Sequence, residues 1–155
     1  LNPRRRIAER MPIAPTPRPI VLRLLGPEFI IIHDKALKPA ADALASWKNQ
    51  KGIVTETVSI GTVRNSVTSI KKYIRDARNR YARLRYVLLL GDVAAIKTDQ
   101  RGSVTTDHYY FTPRDPSGSS DCVLPWVSGG RIPTSSLAEA NAIVCAKIPG
   151  IRNSL

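Results

Sequence analysis

Three short apolar runs, spaced along residues 28–90, constrain the fold more than any other feature of this sequence. They read "EFIIIH" at 28–33, "IVTETVSI" at 53–60 and "YVLLL" at 86–90. Their length and their β-branched or aliphatic content are typical of strands, and the first and third are apolar enough to be buried on both faces. Since a helical pattern separates each run from the next, the strands are expected to be joined by right-handed crossovers into a parallel sheet.

The two intervening segments carry helix signals. In the first, Asp34 is placed as a cap, Pro39 falls in the first turn and Gly52 follows the last turn. The second opens at Asn65 or Ser66, and its other face carries lysine and arginine. Helical spacing of its apolar residues predicts one buried face, formed by Val67, Ile70, Ile74, Ala77 and Tyr81. We therefore predict an α/β fold of the doubly wound, Rossmann- or flavodoxin-like type: a mostly parallel sheet in a three-layer αβα arrangement.

The C-terminal third is less regular. "HYYF" at 108–111 is interpreted as a strand, and a further strand is predicted around Val127 in "CVLPWVSGGR". Gly129-Gly130 fit neither a dinucleotide nor a phosphate loop and are expected to shape the exit of that strand. A last helix is predicted after Ser136, which has capping-box spacing to Glu139.

Proline and arginine set the N-terminal segment apart. Residues 1–27 contain six of the 12 prolines, so we interpret them as an extended arm or linker, followed by an α/β domain over 28–155. The 24 Lys and Arg against 12 Asp and Glu give a net charge of +12, concentrated in 1–25 and 71–85. Such segments could contact nucleic acid or another polyanion, or could simply be solvated faces.

The sequence argues against a transmembrane helix and against a zinc site built from local motifs. No apolar run approaches the ~20 residues that a transmembrane helix needs. The two cysteines, Cys122 and Cys145, show no zinc-ligand spacing, although a disulfide between them is left open. The bland interpretation of both is a small buried side chain.

Five patches, in a fixed order, resemble the gingipain family of cysteine peptidases. They are "IIIHDKAL", "SWKNQKG", "RYVLLLGD", "TTDHYYF" and "GGRIPTSS". Their combined span, roughly 28–148, is similar to the first, non-catalytic subdomain of the family's catalytic unit. No single patch is specific, but the ordered set is considerably more telling.

The resemblance implies a role without catalysis in this chain. In the family, the catalytic His and Cys lie in a second, caspase-like subdomain, and nothing here matches it. The chain is then expected to be the scaffold, or N-terminal subdomain, of a gingipain-like endopeptidase. Its partners would be the catalytic subdomain of the same longer chain and, through it, protein or peptide substrates. The family's setting is secreted or cell-surface. A small inert structural or interaction domain is the remaining alternative.

Calcium is the one cofactor that the resemblance implies. Family members bind structural calcium near the end of the third strand, where Asp92 matches the first carboxylate and Asp107 and Asp121 match later acidic positions. Hard carboxylate oxygens suit Ca²⁺. A further acidic position of the family is occupied by Trp126 here. The competing interpretation makes Asp92 and Asp107 turn or cap residues.

For the histidines, for Cys122 and for the aromatic cluster at 109–111, a structural role is favoured over a functional one. His33 and His108 each stand beside an aspartate, yet the sequence places no nucleophile with either, and a dyad with Cys122 is only conceivable. The aromatic cluster Tyr109–Phe111 lies near arginines, as in base-stacking surfaces, but is better explained as part of the core.

Overall fold

The computed structural model of the chain describes residues 26–113 and 124–147, so Asp121, Cys122 and residues 1–25 of the predicted arm lie outside the described residues. Gly26 and Pro27, the last two residues of that arm, are buried. Six strands are described: β1 (Phe29–His33), β2 (Thr55–Ser59), β3 (Tyr86–Leu90), β4 (Asp99–Arg101), β5 (Val104–Thr106) and β6 (Ser128–Ile132). The α-helices are α1 (Lys38–Gln50), α2 (Ile60–Val63), α3 (Val67–Arg80), α4 (His108–Phe111) and α5 (Leu137–Lys147), and a 3₁₀ turn spans Lys35–Leu37. Within this part of the chain, no helix is long and apolar enough to cross a membrane.

The main sheet is parallel and has the order β2-β1-β3-β6. Its register aligns Ile31 with Thr57 on one side and with Leu88 on the other, and Leu88 with Gly130 of β6. Strands β4 and β5 form a separate antiparallel hairpin. The predicted α/β class with a mostly parallel sheet is confirmed.

Two hydrophobic clusters lie on opposite faces of the sheet, because successive side chains of a buried strand point to opposite sides. One cluster combines Ile30, Ile32 and Leu89 with residues of α2, α3 and α4. The other combines Ile31 and Leu90 with residues of α1 and α5. The three-layer αβα arrangement is therefore present.

The helix signals hold in most details. The Ser66 side chain caps α3 by accepting a hydrogen bond from the Ser69 N–H at 3.1 Å. Ile70, Ile74 and Ala77 of its predicted face are buried. Gly52 follows α1 with φ +90°, the left-handed backbone that favours glycine. Asp34 differs, since it begins the 3₁₀ turn without a side-chain capping bond.

The prediction of a strand at "HYYF" is wrong. Residues 108–111 form the single helical turn α4, in which the Tyr110 N–H bonds the Asp107 carbonyl at 3.0 Å. A strand would send Tyr110 and Phe111 to opposite faces, whereas the turn buries both in the same cluster. The last strand also begins at Ser128, one residue after Val127.

The two glycines of β6 differ in their surroundings. A Cβ atom added to Gly129 would overlap the Phe111 ring, while one added to Gly130 would meet no described atom within 4 Å. Gly129 thus makes room for the aromatic turn α4.

We predict that Gly129→Val lowers the free energy of unfolding by about 1–3 kcal/mol, because the Phe111 ring must move out of a packed core. Urea unfolding of the purified chain measures this. Gly130→Val is the matched control and should change stability little, since its side chain enters open space. Equal losses in the two variants would contradict the packing role of Gly129.

Candidate functional site

The candidate site lies at the carboxyl edge of the sheet, where β1, β3 and β6 end side by side. In open α/β sheets this edge is where ligands bind. Here the chain after β3 is fastened to the chain after β6: the Gly91 N–H donates to the Ile132 carbonyl and the Asp92 N–H to the Thr134 carbonyl, both at 3.1 Å. The Gly-Asp segment is therefore held as an extension of the sheet.

Asp92 builds a turn. Its carbonyl accepts hydrogen bonds from the Ala95 and Ile96 N–H groups at 3.1 and 2.8 Å, and its carboxylate accepts one from the Val93 N–H at 2.6 Å. These contacts start a helical turn that places Ile96 in the core. The turn interpretation of Asp92 accounts for all of them.

Arg131 is the centre of the site. Its side chain is only 8% exposed, although it stands on the outer strand of the sheet. Nη1 donates to the carbonyls of Gly91 and Ile96 at 2.9 and 3.0 Å. Nε and Nη2 donate to the two carboxylate oxygens of Asp107 at 2.8 and 2.9 Å. One guanidinium thus joins β6, the turn after β3 and the start of α4.

The Arg131–Asp107 pair has the geometry that makes buried ion pairs tolerable. A bidentate arginine–carboxylate contact supplies two parallel charge-assisted hydrogen bonds. The carbonyls of Gly91 and Ile96 accept further hydrogen bonds from Nη1 of the same guanidinium. Tyr110 lies beside the pair and donates its hydroxyl to the Lys97 carbonyl at 2.6 Å. Burial, together with the negative charge of Asp107, raises the pKa of Tyr110 well above its usual value, so the phenol stays a donor.

A second buried cation, Lys71, corrects the prediction that the lysines and arginines of α3 form one solvated face. Its ammonium group is buried and donates to the carbonyls of Tyr109 and Thr112 and to the Thr112 hydroxyl. It also lies 4.5 Å from the centre of the Tyr109 ring. Lys71 therefore anchors α4 to α3 from inside the protein.

A cleft of about 580 Å³ opens beside this network. Its walls come from α4 and from β6 with the residues that precede it: Asp107, His108, Phe111, Val127, Ser128 and Gly129 contribute, among others. The walls combine apolar side chains, such as Phe111 and Val127, with polar ones, such as Asp107 and Ser128. The cleft adjoins the outer strand of the sheet.

The described residues do not by themselves fit a calcium site. Both oxygens of Asp107 are bound by Arg131, and in 26–113 and 124–147 no group of three or more His, Cys, Asp or Glu side chains could hold a metal. Asp121 lies outside those ranges. Calcium at Asp92, Asp107 and Asp121 stays a prediction.

The histidines and the described cysteine are not assembled into a catalytic pair. His33 is buried at the end of β1, and its Nδ1 bonds the Asp34 carbonyl at 2.8 Å, which fixes Nδ1 as the donor. His108 is exposed. Cys145 is a half-buried free cysteine on α5. Its predicted disulfide partner Cys122 is outside the described part of the chain.

Sequence reasoning did not identify Arg131 or Lys71 as site residues. A signal for Arg131 existed, since an arginine in a strand that pairs with a buried parallel strand needs an anion or carbonyls nearby. For Lys71 the signal was weaker: it is adjacent to Ile70 and three residues before Ile74, at the border of the apolar face. Neither pattern identifies the carboxylate or carbonyl groups that bind Arg131 and Lys71.

We predict that Asp107→Asn destabilises the fold by about 3 kcal/mol, because it leaves the Arg131 charge buried without its counter-ion. Thermal and urea unfolding measure the loss. Asp76→Asn, which removes the partner of Lys72 in an exposed pair, is the control and should cost much less stability. If both variants lose the same stability, the Arg131–Asp107 pair does not stabilise the fold more than an exposed ion pair does.

The calcium hypothesis predicts heat of binding when the folded chain is titrated with Ca²⁺, and its loss in Asp92→Asn. Carboxylate ligands dominate affinity at such sites. Isothermal titration calorimetry decides this, with Mg²⁺ as the control ion. No heat at millimolar calcium would end the hypothesis.

Comparison with known proteins identifies the family. The model of peptidase family C25 matches residues 23–149. The fold is similar to that of RgpB in a complex of Porphyromonas gingivalis pro- and mature domains (TM-score 0.66, 21% identity, 76% of this chain and 27% of that chain). It is also similar to the Arg-specific cysteine proteinase gingipain R (TM-score 0.65, 21% identity, 78% and 28%) and to dimeric latent PorU from P. gingivalis (TM-score 0.63, 21% identity, 76% and 15%).

These matches cover only part of the known proteins. The match spans 27%, 28% and 15% of the lengths of these three solved structures. No curated protein gives a significant match. The match to the family model extends over most of the sequence and includes every described strand and helix. The chain belongs to peptidase family C25.

Proposed function

We propose that this chain is the scaffold subdomain of a gingipain-like cysteine endopeptidase. The catalytic histidine and cysteine would be supplied by a caspase-like subdomain of the same longer polypeptide. Family membership and the partial coverage of the matched peptidases support this assignment.

One observation carries the proposal. At the edge where open α/β sheets bind ligands, three ionisable side chains are engaged in holding the fold: Asp107 binds Arg131, Asp92 caps a turn and His33 bonds a carbonyl. A catalytic base and nucleophile must lie within hydrogen-bonding reach of each other, and the described residues offer no such pair. The edge is a support, and catalysis is assigned to another part of the polypeptide.

The partners and location follow from the same proposal. One matched structure is a complex of pro- and mature domains, and another is a dimeric latent protein. By analogy, this chain would associate with other domains of its own polypeptide and meet protein or peptide substrates only through the catalytic subdomain. Secretion or display at the cell surface is proposed from the family alone.

A polyanion-binding module is the alternative, and the arrangement of α3 gives it little support. Lys71 is buried, while Lys72 and Arg75 both pair with Asp76. Fewer lysine and arginine side chains of α3 can therefore bind phosphate groups than the sequence suggests. Affinity for duplex DNA that falls steeply with salt would favour the alternative.

We predict that the chain alone does not react with a thiol-reactive peptide probe, whereas the longer polypeptide that carries it is labelled and cleaves peptides. Labelling detected by mass spectrometry, with a fluorogenic peptide assay, measures both. The control is the longer polypeptide with its catalytic cysteine changed to alanine, which should lose labelling. Labelling of the isolated chain at Cys122 or Cys145 with peptide cleavage would contradict the proposal.

A further inference from the structure

Strand β6 is an edge strand in the described part of the chain. It pairs with β3 on one side, and no described strand lies on its other side. Ser128, Gly129 and Gly130 are exposed. An edge strand presents a row of main-chain donors and acceptors to any extended segment that approaches it.

The hydrogen bonds of β6 show which of its groups face outward. The Ser128 N–H donates to the Arg85 carbonyl at 2.7 Å, and the Ile132 carbonyl accepts from the Gly91 N–H at 3.1 Å. Ser128 and Ile132 therefore direct their main-chain groups toward β3. Because this direction alternates along a strand in a parallel pair, Gly130 also faces β3, while Gly129 and Arg131 direct their N–H and C=O groups outward.

The usual devices that protect an edge are not found on this strand. Natural edges are blunted by outward charges, proline or bulges. Strand β6 contains two adjacent glycines, and its one charged side chain is turned into the protein by Asp107. Within residues 26–113 and 124–147, the main-chain groups of Gly129 and Arg131 are thus available for pairing.

The surroundings of the edge also suit a covering layer. A Cβ atom at Gly130 would meet no described atom within 4 Å, and the cleft lined by Phe111 and Val127 adjoins the same strand. The helix α5, which follows β6, exposes Leu137 and Ile143 at 36% and 38%. The edge and the adjoining cleft thus leave this side of the described sheet uncovered.

We propose that a strand of the catalytic subdomain adds to the sheet at β6, pairing with the main chain of Gly129 and Arg131. This inference rests on the proposed function. The catalytic subdomain is the proposed occupant because the matched peptidases are about three to four times longer than the part that this chain matches, and the additional part of such a polypeptide can pack against this edge. Strand addition gives affinity through main-chain bonds and needs no particular sequence on β6.

Amide hydrogen exchange with single-residue resolution tests the proposal by comparing the isolated chain with the longer polypeptide. In the isolated chain the Gly129 and Arg131 amides should exchange quickly. In the longer polypeptide their exchange should slow by at least about a hundredfold, as for amides in a stable ladder. Gly130 and Ile132, whose amides face β3, are internal controls and should be protected in both.

A variant provides a second readout. Gly130→Val should leave the melting temperature of the isolated chain unchanged within about 2 °C, because its side chain enters open space. In the longer polypeptide the same change should reduce the protection of Gly129 and Arg131, since the added side chain stands where the covering layer packs.

The outcomes separate this inference from the proposed function. An active longer polypeptide with fast exchange at Gly129 and Arg131 would overturn strand addition and leave the scaffold role intact. An inactive longer polypeptide with both amides protected would support strand addition and overturn the peptidase role. Protection already present in the isolated chain would overturn strand addition. Sedimentation velocity would then show whether a second copy covers the edge.

Discussion

The guanidinium of Arg131 is the interaction on which the rest of the carboxyl edge depends. It holds the carbonyls of Gly91 and Ile96 and both oxygens of Asp107, so that three segments separated in sequence share one buried charge. A buried cation of this kind must be paired or fully hydrogen-bonded, because an unpaired charge in the interior is costly. Arg131 can make all of these hydrogen bonds only if three segments are correctly placed relative to one another: the turn after β3, the start of α4 and the strand β6.

Lys71 of α3 is a second buried cation that is stabilised by main-chain carbonyls. Its ammonium group satisfies carbonyls of Tyr109 and Thr112 that would otherwise be buried at the end of the short helix α4. A four-residue helix makes few hydrogen bonds of its own and needs partners from outside. Together, the two cations hold α4 against the sheet and position Phe111 below Gly129. In a chain with a net charge of +12, some of the positive charge is thus structural.

The same contacts explain why three polar side chains described at the carboxyl edge serve the fold. The doubly wound sheet brings its strand ends together at one edge, which favours ligand binding in many proteins of this class. Here Asp92, Asp107 and His33 reach that edge, yet each is committed to a hydrogen bond that builds the fold. Among the described residues, β6 is one of the two lateral edges of the main sheet, and the main-chain groups of its Gly129 and Arg131 face outward.

Sequence alone determined the parallel α/β core, because β-branched runs such as 30–32 and the helical spacing of Ile70, Ile74 and Ala77 report burial directly through their period. It also narrowed the start of α3 to Asn65 or Ser66, of which Ser66 is the cap, and identified the glycine after α1, because both signals depend on neighbouring residues only. The helical turn at 108–111 and the buried state of Arg131 and Lys71 were decided by tertiary structure. Each depends on groups at least 24 residues away, such as Asp107 for Arg131 and Thr112 for Lys71, and local patterns contain no information about which distant carbonyl or carboxylate will meet a given cation.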